Sequence, residues 1–296
     1  MPAQLRVVRR RMRAVQSTMK ITRAFELISA SRVLRAQQRV EQARPYTDEL
    51  VQALTSVANT EVTTISHPLL ESRAEVDAAG VAVITSDRGL AGPYNANVLR
   101  TTEELLARLR GNGVDPKLYV VGRKGIAYYR FRRRPVADSW GGFSDRPAYE
   151  DAKRVADTML AAFLDHEVDE LHVVFTDFVS AATQRAVARR LIPLVVEETR
   201  ERPPHPIPLY IYEPSAQAVL DALLPRYLEA RVFTSMLEAA ASEHAARRRA
   251  MKAATDNAEE LIEDLTQEYN QARQAQITLE IMEIVGGAEA LQTSGS

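Results

Sequence analysis

The 296-residue chain has the length of about two ordinary domains, and its 46% hydrophobic and 26% charged residues are typical of a folded globular protein. The absence of cysteine excludes disulfides, thiolate nucleophiles, iron–sulfur clusters and cysteine zinc sites. A net charge of −1 argues against attraction of the whole molecule to nucleic acid or anionic lipid, and no apolar run approaches the roughly 18 residues of a membrane span.

The first segment, residues 1–59, predicts one long amphipathic helix. Its apolar side chains recur at alternating steps of three and four residues, which is a heptad seam: Leu5, Val8, Met12, Val15 and Met19. We expect the apolar stripe to continue through Ala24 and Ile28, and the helix to continue past Pro45. Residues 60–79 are then a linker.

The middle, residues 80–214, has a different pattern. Short β-branched or aromatic runs predict strands at 81–85, 117–121, 171–176 and 207–212. Helical stretches lie between them near 97–110, 149–166 and 181–189. Alternating strands and helices indicate a central Rossmann-like βαβ domain with a largely parallel sheet.

The last segment predicts a second long helix over 215–290, followed by a short tail, 291–296. No glycine or proline occurs between Pro225 and Gly286, and the pair Gly286 and Gly287 is expected to end the helix. The first half is rich in alanine, and the second half carries a stripe at three- and four-residue steps: Ala258, Leu261, Leu265, Tyr269, Ala272, Gln276 and Leu279.

Charge relates the two ends of the chain. The first 44 residues carry eleven basic residues against Glu26 and Glu41, a net charge of +9. From Asp221 onward seven basic residues stand against thirteen acidic ones, a net charge of −6. Two striped helices of opposite charge are expected to pair as an antiparallel coiled coil, so the predicted fold class is α/β, with that coiled coil and the central domain.

No pattern of catalytic, cofactor-binding or metal-ligating residues is found. There is no phosphate-binding glycine loop, and His166 and His172 are six residues apart, whereas a helical zinc pair needs a spacing of four. The arginines of the first helix are not interleaved with aromatic side chains, and the basic run 130–134 is expected to be an exposed loop, so no nucleic-acid partner is predicted.

The polar loop 86–95 follows the first predicted strand, where α/β domains often bind ligands. It is either a small-ligand or partner site or a turn. In the second case its glycines supply positive φ angles, and Asp87 or Asn95 caps the next helix.

Several motifs together carry a resemblance to a known family. They are Lys20–Arg32, Ser86–Asn97, Thr176–Ser180 with Thr183–Arg185, Ser242–Arg247, Met251–Asn257, Tyr269–Gln274, Ile277–Thr278 and Glu283–Ala288. The chain resembles the γ subunits of F-type ATP synthases over essentially its whole length. The stretches Val121–Gly125 and Trp140–Phe143 look most like those of actinobacterial members.

The resemblance implies a non-catalytic central-stalk rotor that couples proton flow through the membrane ring to ATP synthesis. The expected partners are the alpha and beta subunits of the catalytic hexamer, the epsilon subunit and the membrane c-ring. The expected location is the cytoplasmic side of the cell membrane, as a peripheral protein without a span.

The resemblance also marks residues linked to subunit coupling: Phe25, Arg247, Arg273, Gln274, Thr278 and Glu280. Thr278 and Glu280 are polar and would pack poorly in the apolar seam between two helices, so they are expected to face partners. The alternative is that they are ordinary exposed helix residues. Phe25 stands where many relatives have methionine, and Pro93 replaces the second glycine of a usual glycine pair.

Two other functions stay open from the residues alone. The chain could be a coiled-coil adaptor or scaffold with an α/β head, or an α/β enzyme with an unrecognised site. Co-purification with alpha and beta subunits distinguishes the rotor from both, and a ligand-dependent melting shift favours the enzyme.

Overall fold

The computed structural model describes residues 3–60, 73, 75–193, 213 and 215–294. They form two compact units. The terminal unit comprises residues 1–28 and 248–296, and the central unit comprises residues 29–247. Among the described helices, none combines the length and apolar character needed to cross a membrane.

Two long helices, α1 (Ala3–Thr60) and α5 (Ala216–Ser294), contribute to both units. The predicted terminal helices are therefore confirmed, and α1 continues through Pro45 as expected. The expectation that the glycine pair ends the second helix is wrong, because α5 continues through Gly286 to Ser294. Glycine permits a left-handed helix end but does not require one.

In the terminal unit α1 and α5 pack side by side in opposite directions. The Oγ1 atoms of Thr22 and Thr255 lie 2.8 Å apart, and Thr266 Oγ1 lies 3.7 Å from the sulfur of Met12. Earlier residues of α1 therefore lie opposite later residues of α5. The buried positions of this seam include Leu5, Val8, Met251, Ala258 and Leu265.

One detail of the predicted stripe is wrong. Ala24 and Ile28 are exposed, whereas Thr22 and Ser29 are buried. The heptad spacing continues strictly beyond Met19, but small polar side chains occupy it there. A prediction based on apolar residues alone therefore selects the wrong face of the helix beyond Met19.

In the central unit the remaining parts of α1 and α5 are also antiparallel. The hydroxyls of Thr47 and Thr234 are 3.1 Å apart, and Leu54 and Val57 share a core with Leu224. Arg44 approaches Glu238 at 3.9 Å. Packing of this seam, rather than such long ion pairs, provides most of the stabilisation, because half-exposed pairs contribute at most about 1 kcal/mol.

The central unit also contains a five-stranded sheet in the order β3-β2-β1-β4-β5. Its strands are β1 (Ala78–Ile84), β2 (Asp115–Val121), β3 (Asp138–Trp140), β4 (Glu170–Phe178) and β5 (Gln184–Ile192). Its helices are α2 (Tyr94–Gly111), α3 (Arg123–Phe131) and α4 (Tyr149–Leu164). The first four strands are parallel, and β5 is antiparallel to β4.

The sheet is covered on both faces, as parallel strands require. One face packs against α4 and the two long helices through residues such as Ile84, Val155 and Leu228. The other face packs against α2 and α3 through residues such as Val83 and Leu106. The predicted α/β class, with its coiled coil and parallel sheet, is confirmed.

Three differences from the predicted elements are local. The stretch 181–189, expected to be helical, contains a hairpin turn and β5, because pairing with β4 overrides the helix propensity of its alanines and arginines. The basic run 130–134 begins as the end of α3, although most of it is exposed as expected. The predicted strand 207–212 lies outside the described residues.

Candidate functional site

The loop 86–95 lies at the carboxyl end of β1, as expected for the polar loop of an α/β unit. Asn95 Oδ1 accepts the backbone N–H of Ser86 at 2.9 Å, and Asn95 Nδ2 donates to Ser86 Oγ at 2.7 Å. Leu90 and Gly92 have φ angles of 62° and 54°. Asn95 therefore closes the loop on itself.

Neither Asp87 nor Asn95 caps α2, so that expectation is wrong. The cap position of α2 is Pro93, which makes no side-chain cap bond but whose carbonyl accepts the N–H of Asn97 at 2.9 Å. Proline fits there because its fixed φ suits the first turn of a helix and its missing N–H loses nothing.

The carboxylate of Asp87 instead accepts hydrogen bonds from three backbone N–H groups outside the loop 86–95. It accepts from Arg123 at 3.1 Å, Gly142 at 2.8 Å and Ser144 at 2.9 Å. Burial alone would raise the pKa of Asp87, but these hydrogen bonds outweigh it and the pKa is lowered. The ionised carboxylate thus joins the end of β1, the start of α3 and the β3–α4 loop.

A buried cluster on α5 connects this loop to the long helix. We call Glu243, His244 and Arg247 the α5 cluster. Arg247 Nη2 contacts Glu243 Oε1 at 2.5 Å, and its guanidinium donates to the carbonyl of Gly89 at 3.3 and 3.4 Å. Arg247 was predicted as a coupling residue, and its side chain is only 9% exposed. It therefore positions the loop rather than facing solvent.

Ser144 completes the connection on the carboxylate side. Its Oγ accepts the backbone N–H of Asp87 at 2.8 Å and donates to Glu243 Oε2 at 3.2 Å. Burial raises the pKa of Glu243, while Arg247 and Ser144 act in the opposite direction. Glu243, Arg247, the loop carbonyls and Asp87 therefore form one hydrogen-bonded network. This network holds the loop 86–95 on the part of α5 that lies in the central unit.

His244 is the neutral member of the α5 cluster. Burial lowers its pKa to about 4, and the positive charge of Arg247 acts in the same direction. Its Nε2 lies 3.0 Å from the carbonyl of Asp145, and its Nδ1 lies 3.4 Å from Arg247 Nη1. These partners fit the tautomer that carries its proton on Nε2, because Arg247 can only donate.

The arrangement holds the loop 86–95 against α5. Its members are paired with one another and with backbone carbonyls: Arg247 with Glu243 and Gly89, and His244 with Asp145. Within the described ranges, no group of three or more His, Asp or Glu residues lies close enough together to hold a metal ion.

The other predicted coupling residues lie in the terminal unit and are exposed. Phe25 on α1 is 40% exposed. Arg273, Gln274, Thr278 and Glu280 lie within two turns of α5, and their side chains reach solvent. Their bonds are local to the helix: Thr278 Oγ1 donates to the carbonyl of Gln274 at 3.0 Å, and Gln276 donates to Glu280 at 2.6 Å.

Aliphatic side chains lie among these polar ones, and Leu279, which the sequence places in the apolar stripe of the last helix, is one of them. Six of them are 45–72% exposed: Ile277, Leu279, Ile281, Met282, Ile284 and Val285. The pairs Thr22–Thr255 and Met12–Thr266 set the register, so the start of α1 at Ala3 lies opposite about residue 275 of α5. The helix end beyond that point, which we call the α5 extension (residues 277–286), has no part of α1 beside it. The run of aliphatic residues in the sequence indicates this exposed apolar surface.

Comparison with known proteins identifies the family. A sequence profile described as ATP synthase matches residues 4–291. The chain is 57% identical over 301 residues to a protein of Acidothermus cellulolyticus named ATP synthase gamma chain, and both chains are covered completely. It is 53% identical to the ATP synthase gamma chain of Mycolicibacterium smegmatis, with 99% of this chain and all of that one covered.

Solved structures agree in fold. A chain of the Euglena gracilis mitochondrial ATP synthase, from a structure of OSCP, F1 and the c-ring, has a TM-score of 0.69 at 16% identity and covers 99% of this chain and 96% of its own. A chain of the Tetrahymena thermophila central stalk and c-ring has a TM-score of 0.59 at 20% identity, covering 79% of this chain and 99% of its own. The full-length match to close relatives, together with this shared fold, means that the chain belongs to the ATP synthase gamma chain family.

Proposed function

We propose that this chain is the central-stalk rotor of an F-type ATP synthase, that it couples proton flow through the membrane ring to ATP synthesis, and that it performs no catalysis itself. Its proposed partners are the alpha and beta subunits, the epsilon subunit and the c-ring. Its proposed location is the cytoplasmic side of the cell membrane, as a peripheral subunit. The names of its relatives and its fold neighbours support this assignment.

The single observation that carries the proposal is the α5 extension. Exposed aliphatic side chains on successive faces of a helix are costly in water and typical of a surface that a partner covers. A helix surrounded by several subunits contacts protein on several sides, which explains why aliphatic side chains occupy more than one face of the extension.

Charged and polar side chains next to these aliphatic ones supply the coupling. We infer that Arg273, Gln274, Thr278 and Glu280 make hydrogen bonds with alpha or beta subunits that change as the helix turns. A hydrogen bond to a charged group contributes about 1.5–3 kcal/mol, comparable with typical coupling free energies of about 1–3 kcal/mol. One such contact, made in one rotational position and lost in another, is enough to bias a catalytic site.

Phe25 and Arg247 act differently. Phe25 offers an exposed aromatic ring on α1. Arg247 acts from inside the central unit, where it holds the loop 86–95 on α5 and keeps the unit stiff under load.

Reconstitution tests the proposal. The purified chain should bind to alpha and beta subunits and co-purify with them, and the resulting complex should show raised, cooperative ATPase activity, whereas the lone chain hydrolyses no ATP. A chain shortened after Thr266, which lacks the α5 extension, should give a complex with weaker stimulation. Failure of the full chain to co-purify with alpha and beta subunits would exclude the rotor role and favour an adaptor.

A further inference from the structure

A cavity of about 440 Å³ lies in the central unit. One wall is the part of α1 that carries Arg32, Arg35 and Arg39, and the other is the segment Asp145–Arg146. His244 of α5 also lines it. The volume is that of a small-molecule site, for which about 300–1,000 Å³ is typical.

The lining has a strong surplus of positive charge. Four arginines line the cavity, and Asp145 is the one carboxylate among the residues that line it. Because His244 is neutral near pH 7, three positive charges are left uncompensated. The remaining lining residues include glutamines, which donate hydrogen bonds, and none is aromatic.

Part of this charge has a protein partner and part does not. Arg32 Nη1 donates to Asp145 Oδ2 at 2.9 Å, and Arg39 Nη2 donates to the carbonyl of Pro147 at 2.6 Å. Arg35 bonds to Ser31 on its own helix. Arg146 is exposed and has no carboxylate within ion-pair distance in the described part of the chain. Several guanidinium N–H groups are thus available to a ligand.

The positive charges that line the cavity repel one another. Burial lowers the pKa of Arg39, and the positive charge of Arg146 lowers it further. The two like charges are therefore close enough to repel each other. An anion between them would convert that repulsion into two attractions, and a guanidinium can bind phosphate oxygens through two parallel hydrogen bonds.

We propose that this cavity, the arginine pocket, binds a phosphate-bearing anion with several closely spaced charges, such as pyrophosphate or the phosphate chain of a nucleotide. The three uncompensated charges match such an anion, which carries a similar negative charge at neutral pH. Without an aromatic side chain in the lining, the pocket recognises the phosphate groups rather than a base. The pocket is independent of the proposed rotor role.

Titration calorimetry of the full chain with inorganic pyrophosphate tests the site. The Arg39→Ala/Arg146→Ala variant should bind at least about tenfold more weakly, since each charged hydrogen bond is a sizeable part of the affinity. The control, Arg108→Ala/Arg110→Ala, removes the same charge from the exposed end of α2 and should change the affinity less than about twofold. Arg146→Ala alone should weaken binding without changing the melting temperature, because the Arg146 guanidinium makes no ion pair with a carboxylate among the described residues.

Further ligands distinguish the phosphate chain of a nucleotide from a free inorganic anion as the occupant of the pocket. ATP binding as tightly as tripolyphosphate assigns the pocket to a nucleotide's phosphate chain, and ATP binding much more weakly assigns it to a free inorganic anion. The proposal is overturned if pyrophosphate fails to bind at millimolar concentration, or if both double variants lose affinity equally. Tighter binding of a hexaglutamate peptide than of pyrophosphate would also overturn it, in favour of an acidic protein segment.

Discussion

Arg247 connects the loop 86–95 to α5 through charge and hydrogen bonds that are removed from water. Removing its guanidinium leaves Glu243 as a buried carboxylate without its cation. Breaking a buried pair on one side costs about 3–5 kcal/mol. Arg247→Ala should therefore lower the free energy of unfolding by several kcal/mol in urea titrations, whereas Arg248→Ala, the exposed neighbour, should change it by less than about 0.5 kcal/mol. Equal effects would show that the network contributes no stability.

Glu238 is a second residue whose environment has a measurable effect, in this case on the pH dependence of stability. It is buried on α5, and burial raises its pKa from 4.5 to about 7, with the nearby carboxyl of Asp177 on β4 adding to the shift. Arg189 on β5 and Arg44 on α1 act in the opposite direction. Between pH 4.5 and 7 the folded state therefore holds a proton that the unfolded state has lost, so this residue's contribution to stability falls as pH rises.

The Glu238→Gln variant isolates that contribution. His244 has the opposite dependence because its pKa is lowered when the chain folds, but it is present in both proteins and cancels in their difference. The stability of the parent relative to the variant should fall between about pH 4.5 and 7, by at most about 3 kcal/mol. Melting temperatures measured across that range provide the test, and a difference that does not change with pH would refute the raised pKa.

At the scale of the elements, the antiparallel pairing of α1 and α5 in the terminal unit is directly testable. The parent has no cysteine, so introduced pairs have no competing thiol. Thr22→Cys with Thr255→Cys should form a disulfide within one chain, because the two threonine hydroxyls are 2.8 Å apart.

The control for this pairing is Thr22→Cys with Thr266→Cys. Thr266 lies eleven residues along α5 from Thr255, about 16 Å by the helix rise. Non-reducing gels should show no intramolecular disulfide for this pair. Cross-linking of the control but not of the first pair, or cross-links only between chains, would contradict the antiparallel arrangement.

The elements also show how far the sequence is informative. Strands β1, β2 and β4 were predictable because each contains a short run of β-branched, aromatic or other apolar residues that is mostly buried. β5 was not, because an edge strand rich in arginine owes its conformation to its neighbour β4. β3 has three residues, too few for any periodicity to be recognised.

The candidate site, too, could be predicted from the sequence only in part. The exposed positions at the end of α5 could be anticipated from residue types and the family resemblance. Glu243 and Arg247 are spaced four apart on a helix, which favours an ion pair, but their contact with Gly89 joins residues 158 positions apart. Such a contact depends on tertiary packing, which no local pattern contains.

In the whole molecule, we propose that the end of α5 serves coupling and not merely assembly. Arg273→Ala and Glu280→Ala should leave folding and complex abundance unchanged, since both side chains are exposed. Each should remove about 1–3 kcal/mol of coupling free energy. Glu268→Ala is the matched control, because it is an equally exposed α5 residue within the stretch that has α1 beside it.

The decisive measurement is the number of protons pumped per ATP hydrolysed in membrane vesicles, at matched abundance of the complex. We expect a lower ratio for Arg273→Ala and Glu280→Ala, a still lower one after truncation at Thr266, and the parent's ratio for Glu268→Ala. A ratio equal to the parent's in both point variants would contradict the account and leave these residues as ordinary surface positions.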